Sequence, residues 1–271
     1  MRLYIRAPNH LGDGVMALPT IRALAKVAEV IVAAPAWGRV LYRPLPVVER
    51  GEVPEADAAV LLAPSFRAAW EARHVPRRIG VRWDLRTPLL TDPVERLEEH
   101  RTLEYARLAA VLGVEVSGRP RFEATEEARS TCRQPAGHVA LIPRSASGEV
   151  VEWPGFAALA RALPDAVVYV GPHEDFEGGI ELGLDDLAAA LERARVVVVN
   201  DSGLSHFACA VGARTLVLHG STTASRTGAV GSEALEGPDL ECRPCYKKSC
   251  HIGGVPCLDI PVERVLSAIE A

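Results

Sequence analysis

Three strand-to-helix turns and one cysteine cluster hold the residues of this chain whose types and spacing can do chemistry. The first turn reads Pro8-Asn9-His10-Leu11-Gly12-Asp13-Gly14-Val15-Met16 and leads through Pro19 into a helix. Gly12 and Gly14 allow a tight turn and close approach to a ligand, and Asp13 sits where the helix macrodipole favours a carboxylate. An aspartate here also fits an ordinary helix cap. The spacing is not G-x-G-x-x-G, and no acidic ribose ligand follows at a sensible distance, which disfavours a dinucleotide site.

The second turn, Asn200-Asp201-Ser202-Gly203-Leu204-Ser205-His206, follows the run Val196-Val197-Val198-Val199 and opens an apolar helix. Free amides at that helix start, the Ser202 hydroxyl and the bare Gly203 suit a diphosphate, and His206 lies one turn in. Asp201 or Ser202 as an ordinary cap and His206 as a core-edge histidine are the alternatives. A third turn, His219 to Arg226, follows the next strand and again offers amides, hydroxyls and a cation. Adjacent strand ends that both suit anions strengthen one another.

The cluster Cys242-x2-Cys245-x4-Cys250-x6-Cys257 packs four thiols into sixteen residues, with His251 adjacent and Lys247-Lys248 inside the loop. It fits a structural zinc or other metal, disulfides or free thiols, since the second pair lacks the tight spacing of a zinc ribbon. Cys132 and Cys209 stand alone and fit small buried apolar positions.

The elements that must carry these turns follow from period and punctuation. Short β-branched runs alternate with segments of helical spacing, the pattern of βαβ units and a parallel sheet, so the class is α/β. Strands are expected at Leu3 to Ala7, Val30 to Ala34, Ala59 to Ala63 and Arg78 to Val81, with helices near Val15 to Lys26, Ser65 to Arg73 and Val94 to Leu112. The alternation resumes at His138 and continues to a carboxyl-terminal helix near Pro261 to Ile269. The stretch from Gly113 to Gly137, with Pro120 and Pro135, separates the halves, giving domains at 1–130 and 131–271. Two doubly wound domains facing one another leave a central cleft at the carboxyl ends of their strands.

With 271 residues, 48% hydrophobic and 24% charged, the chain suits two folded domains and excludes a disordered or fibrous protein. The net charge of -5 argues against a nucleic-acid partner along a basic face. Neither a signal-peptide core nor an apolar run of membrane-spanning length is read, which places the protein in the cytoplasm.

The two turns Asn9 to Met16 and Asn200 to His206, with His219-Gly220-Ser221-Thr222, resemble the bacterial ADP-heptose:lipopolysaccharide heptosyltransferases of glycosyltransferase family 9. Trp153-Pro154 before a helix and the cysteine-rich tail are similar to the heptosyltransferase II branch. The resemblance implies a GT-B fold of two Rossmann-like domains, the first binding the acceptor and the second, with the loop 242–257, binding the nucleotide sugar. It implies an inverting, metal-independent transfer of a sugar, heptose in this family, from an ADP-sugar to a cell-surface glycolipid or glycan, at a cytoplasmic site in transient contact with the inner membrane surface. Asp13 then matches the general base, in the acceptor-side turn with Asn9, Gly12 and Gly14. Ser202, Gly203, His206, Ser221 and Thr222 would hold the leaving diphosphate, and Asp201 a donor hydroxyl. The family's Lys-x-Trp-Pro segment reads Val151-Glu152-Trp153-Pro154 here, so its lysine is absent, and Arg144 is the cation placed to substitute for it. A non-catalytic nucleotide-sugar or glycan-binding relative is the alternative.

Overall fold

The computed structural model describes every residue except 147, 172–174 and 248, and the side chain of residue 149. Lys248 of the cysteine loop therefore lies outside the described residues. The chain divides into two compact units, Met1–Pro120 and Arg121–Ala271.

In the first unit the strands are β1 (Arg2–Arg6), β2 (Glu29–Ala33), β3 (Val47–Val48), β4 (Ala58–Leu61), β5 (Arg77–Val81) and β6 (Asp92–Val94). They pair in parallel in the order β3-β2-β1-β4-β5-β6. The helices are α1 (Leu11–Met16), α2 (Leu18–Ala25), α3 (Gly38–Leu41), α4 (Phe66–Glu71) and α5 (Arg101–Ala110). Leu3, Tyr4 and Ile5 of β1 are all buried. That continuous apolar run, without alternation, is what a strand covered on both faces requires.

In the second unit, helices α6 (Glu126–Thr131), α7 (Phe156–Ala162), α8 (Leu184–Glu192), α9 (Gly203–Val211), α10 (Ala224–Thr227) and α11 (Val262–Glu270) surround a second parallel sheet. Its strands are β7 (Val139–Ile142), β8 (Ala166–Val170), β9 (Ile180–Glu181), β10 (Val196–Asn200), β11 (Thr215–His219) and β12 (Glu233–Glu236), in the order β12-β11-β10-β7-β8-β9. Counted from its own first strand, each sheet runs 3-2-1-4-5-6, the doubly wound order. Each therefore reverses direction at one point, between β1 and β4 and between β7 and β10, where ligands of open α/β sheets bind.

Three differences from the sequence expectations have physical causes. The first helix is two: α1 starts at Leu11 and ends at Met16, and α2 starts afresh with Pro19 in its first turn, where a missing N–H costs nothing. The segment expected as a helix from Val94 begins as edge strand β6, and its helix, α5, starts only at Arg101. The division falls at Pro120, before residue 130, because the segment that follows is tied to the second unit. Thr125 binds Asp185 of α8 through its N–H (3.1 Å) and hydroxyl (2.6 Å), Arg129 pairs with Glu192, and Phe122 packs its ring 5.1 Å from that of Phe207.

Candidate functional site

The first unit's switch point is built by the chain that leaves β1. Arg6 at the strand end is buried, donates to the Ala7 carbonyl, and bonds Asn9 Oδ1 at 2.9 Å, which fixes the turn. His10 is the N-cap of α1 and makes no side-chain cap bond, so Asp13 lies inside the helix as its third residue. It is not a cap. Its Oδ1 lies 3.7 Å from Nε of Arg101, the first residue of α5, and the Asp13 side chain keeps 32% of its surface exposed. Burial raises the Asp13 carboxyl above its ordinary range, while Arg101 and His10 pull against that shift and Glu104 adds to it. The result is a partly open carboxylate with enhanced affinity for a proton.

Gly12 and Gly14 are buried within α1 and have no positive φ, so they do not form a left-handed turn. Gly14 answers a packing need: a Cβ there would stand 2.5 Å from the Trp37 ring and 2.9 Å from the Tyr42 hydroxyl. That hydroxyl donates to the Gly14 carbonyl at 3.3 Å.

The second unit's switch point is joined by Asn200, the last residue of β10. Its amide donates to the Pro143 carbonyl at 2.8 Å and its Oδ1 accepts from the Trp153 N–H at 2.9 Å, all fully buried. Sequence reading quoted Asn200 without giving it this work, since both partners are remote in the chain. The next residues open α9: Ser202 is its N-cap, makes no side-chain cap bond, and its Oγ is buried without a partner. The ordinary-cap alternative for Ser202 is thus not what forms. Gly203 begins the helix, His206 is buried at 8% exposure one turn in, and Gly212 ends the helix in the left-handed region with φ 96°.

Asp201 is drawn inward, with 6% of its side chain exposed. Its Oδ2 accepts from the Thr227 hydroxyl at 2.8 Å and lies 3.5 Å from His219 Nδ1. Burial pushes its carboxyl up, but the His219, Thr222 and Thr227 contacts outweigh that and hold it below the usual range. Asp201 is therefore an ionised latch that draws the turn after β11 against the turn after β10. Its Oδ2 already serves the protein, a structural role beside the expected one on a donor hydroxyl.

Ser221 and Thr222 sit in the third turn as expected, clasped from behind by the cysteine loop. The Ser221 carbonyl accepts from the N–H groups of Cys245 (3.0 Å) and Tyr246 (3.2 Å), Arg243 reaches the Thr222 carbonyl, and the Tyr246 hydroxyl meets Thr223. Cys242, Cys245, Cys250 and Cys257 line one small cavity of about 10 Å³, with His251 at its wall. All six cysteines are free thiols. Four thiolates are a suitable donor set for zinc. As placed, however, no three His, Cys, Asp or Glu side chains among the described residues are grouped to hold an ion, so no metal role is derived for the loop.

Arg144 requires a correction. Its NH1 bonds Glu152 at 3.0 Å, and its Nε and NH2 donate to the Asp175 carbonyl at 3.0 and 2.6 Å. Glu152 also accepts from the Ser145 N–H. The guanidinium is thus engaged by Glu152 and by the Asp175 carbonyl, and the position of the absent lysine is filled by the buried Val151. Among the described residues no helix is long and apolar enough to cross a membrane.

The description "glycosyltransferase family 9 (heptosyltransferase)" belongs to the family whose sequence profile matches residues 180–255, the segment that holds the second and third turns and most of the cysteine loop. Lipopolysaccharide heptosyltransferase 1 of Pseudomonas aeruginosa is 44% identical over 70 residues, which span 26% of this chain and 20% of that protein. Lipopolysaccharide heptosyltransferase 2 of Escherichia coli is 26% identical, over 86% of this chain and 87% of its own. The solved structure of E. coli ADP-heptose lipopolysaccharide heptosyltransferase II superposes with a TM-score of 0.77 at 21% identity, covering 99% of this chain and 98% of that one, and it carries the GT-B fold class. By these matches the chain is similar to the heptosyltransferases of glycosyltransferase family 9, in sequence over residues 180–255 and in fold along its length.

Proposed function

We propose that this protein is an inverting, metal-independent glycosyltransferase that moves a heptose from ADP-heptose to a lipopolysaccharide-core or related glycan acceptor. In this reading Asp13 takes the proton from an acceptor hydroxyl. The hydroxyl oxygen forms its bond to the anomeric carbon as the bond from that carbon to the ADP oxygen breaks, and the electron pair leaves with the diphosphate. Attack opposite the leaving group inverts the anomeric centre.

The observation that carries the reading is the unspent donor set at the start of α9. The Ser202 hydroxyl has no partner among the described residues, and the Gly203 and Leu204 amides precede the first bonded amide of the helix, the Ser205 N–H on the Ser202 carbonyl at 3.1 Å. Such amides stabilise the charge that develops on ADP, the work a divalent cation does elsewhere. Gly203 and His206 belong to the same helix start, and Ser221 and Thr222 are held to it through the Asp201 latch. The acceptor side is Asn9, Gly12, Asp13 and Gly14. A glycolipid acceptor brings the protein into transient contact with the inner membrane face.

Transfer is tested by incubating the protein with ADP-heptose and heptose-deficient lipopolysaccharide core in excess EDTA, reading ADP release and product anomeric configuration. Metal-free transfer with inversion is expected. One observation favours a rival, a nucleotide-sugar-binding relative without turnover: Arg144, the cation expected to replace the absent lysine, is paired with Glu152. That rival predicts calorimetric ADP binding, weakened by Ser202→Ala, with no product.

A further inference from the structure

We infer that Arg101, braced by the buried Glu104, is the positioning residue that orients the Asp13 carboxylate for proton abstraction. The inference rests on the reading of Asp13 as the base and adds a residue that the turn motif does not contain.

The argument begins with where Arg101 stands. It is the first residue of α5, capped by His100, whose Nδ1 accepts from the Thr102 N–H. A cation at a helix amino terminus opposes the macrodipole, an effect of about 0.3–1 kcal/mol in the wrong direction. The local rule is broken, and what compensates is a row of alternating charges. Arg101 NH1 bonds Glu104 Oε1 at 2.7 Å, and its Nε lies 3.7 Å from Asp13 Oδ1. The Glu104 side chain is only 5% exposed. Arg86, buried and also drawn to Glu104, donates to the carbonyls of Ala63 and Leu61 at the end of β4. The row Asp13, Arg101, Glu104, Arg86 thus ends on backbone of the central sheet at the switch point.

In this row Glu104 is bonded to Arg101, while Arg86 is held by backbone carbonyls and feels the Glu104 charge without a direct bond. Yet the members do different work. Glu104 and Arg86 are enclosed, while Arg101 and Asp13 keep 39% and 32% of their side chains exposed. Glu104 fixes one arm of the guanidinium, so its Nε is presented to Asp13 from a set direction, and only the outer pair faces solvent. Arg101 need not touch substrate to matter: it acts on the base. The other groups facing Asp13 are His10 from its own turn, Glu104 and Tyr105 from α5, and Tyr42 from the segment after α3. Tyr42 and Tyr105 are held neutral by burial. Arg101 is then the guanidinium that opposes the desolvation of Asp13, and it is held by a bonded brace, Glu104.

The signs follow. Removing Arg101 favours the protonated acid, so the acidic limb of the rate profile moves to higher pH. Removing the Glu104 charge leaves Arg101 undivided toward Asp13, so the limb moves to lower pH. The experiment compares Arg101→Gln, Arg101→Lys and Glu104→Gln in ADP-heptose transfer to heptose-deficient lipopolysaccharide core across pH, with donor KM measured at each point. The carboxyl-carbon resonance of Asp13, assigned by its loss in Asp13→Asn, is titrated in parallel and needs no substrate. For Arg101→Gln the expected result is a drop in kcat of about tenfold on the acidic side, recovering as pH rises, at unchanged donor KM. Arg101→Lys should restore most of the limb, and the Asp13 resonance should titrate at higher pH in Arg101→Gln. A rate lowered equally at every pH, or an Asp13 titration that does not move, overturns the inference. The Arg101 variants suffice if Glu104→Gln fails to fold. Transfer retained by Asp13→Asn would instead overturn the base assignment itself, so the two failures are distinguishable.

Discussion

The two halves of this chain have the same strand order and place an aspartate just beyond the central strand end, yet the two carboxylates are treated in opposite ways. Asp13 of the first half is left 32% exposed beside a single bonded cation, and burial raises its proton affinity. Asp201 of the second half is enclosed to 6% and is nonetheless held ionised, because His219, Thr222 and Thr227 turn their polar atoms onto it. The difference teaches that topology selects where chemistry can sit and that neighbours select which chemistry it is. One aspartate is poised to exchange a proton. The other holds two loops together at the start of α9.

The sharpest way to break this comparison is to exchange the two roles by mutation. Asp13→Asn should lower transfer by about 10²–10⁴-fold with ADP affinity unchanged, read by ADP release and by calorimetry. A fall in ADP affinity of the same size would place Asp13 on the donor and end the division of labour.

The next effect is on stability. Asn200→Ala leaves the Pro143 carbonyl and the Trp153 N–H unpaired in a fully buried place, and two such orphans cost about 3 kcal/mol. The loss should appear in urea unfolding followed by Trp153 fluorescence, in a variant whose other tryptophans, Trp37, Trp70 and Trp83, are replaced by Phe. An unchanged midpoint would remove Asn200 as the joint of the second switch point. In the first half the corresponding wedge is Gly14→Ala, whose new methyl meets Trp37 and Tyr42; overpacking there should cost about 1–3 kcal/mol, measured by urea unfolding of the otherwise native chain. A neutral result would mean that the Trp37 ring moves freely and that Gly14 is needed for something other than fit.

Much of this arrangement was legible from residues near in sequence. The four valines of β10 have no alternation and announce a buried parallel strand, and the turns beginning at Asn9, Asn200 and His219 fall at strand ends as read. What escaped depends on partners far apart or on elements too short to have a period. Strands β3 and β9 are two residues each, and the N-cap of α1 is His10, which gives no capping signal. Arg144 was read by its charge, but Glu152 and the Asp175 carbonyl had claimed it. Arg243, which braces the third turn, looks in sequence like any loop arginine. Arg101 escaped as well, because the helix was expected from Val94, which put Arg101 in its interior, whereas α5 starts at Arg101.

The last and smallest effect tests the two aspartates by linkage, without substrate. The folded-state affinity of Asp13 for a proton is raised, so within the carboxylate range the native state binds more protons there than the unfolded chain, and its contribution to stability falls as pH rises. The folded-state affinity of Asp201 is lowered, so its contribution is present above the unfolded carboxylate range and is lost as pH falls through it. The slopes have opposite signs. Subtracting the urea stability of Asp13→Asn from that of the native chain, point by point in pH, should leave a descending difference, and the same subtraction for Asp201→Asn an ascending one. Thr227→Val, which removes one of the hydroxyls holding Asp201, should flatten the ascending curve without touching the descending one. Two ascending differences would show that both carboxylates are held as ions for structural ends, and the first half would then lose its claim to the proton.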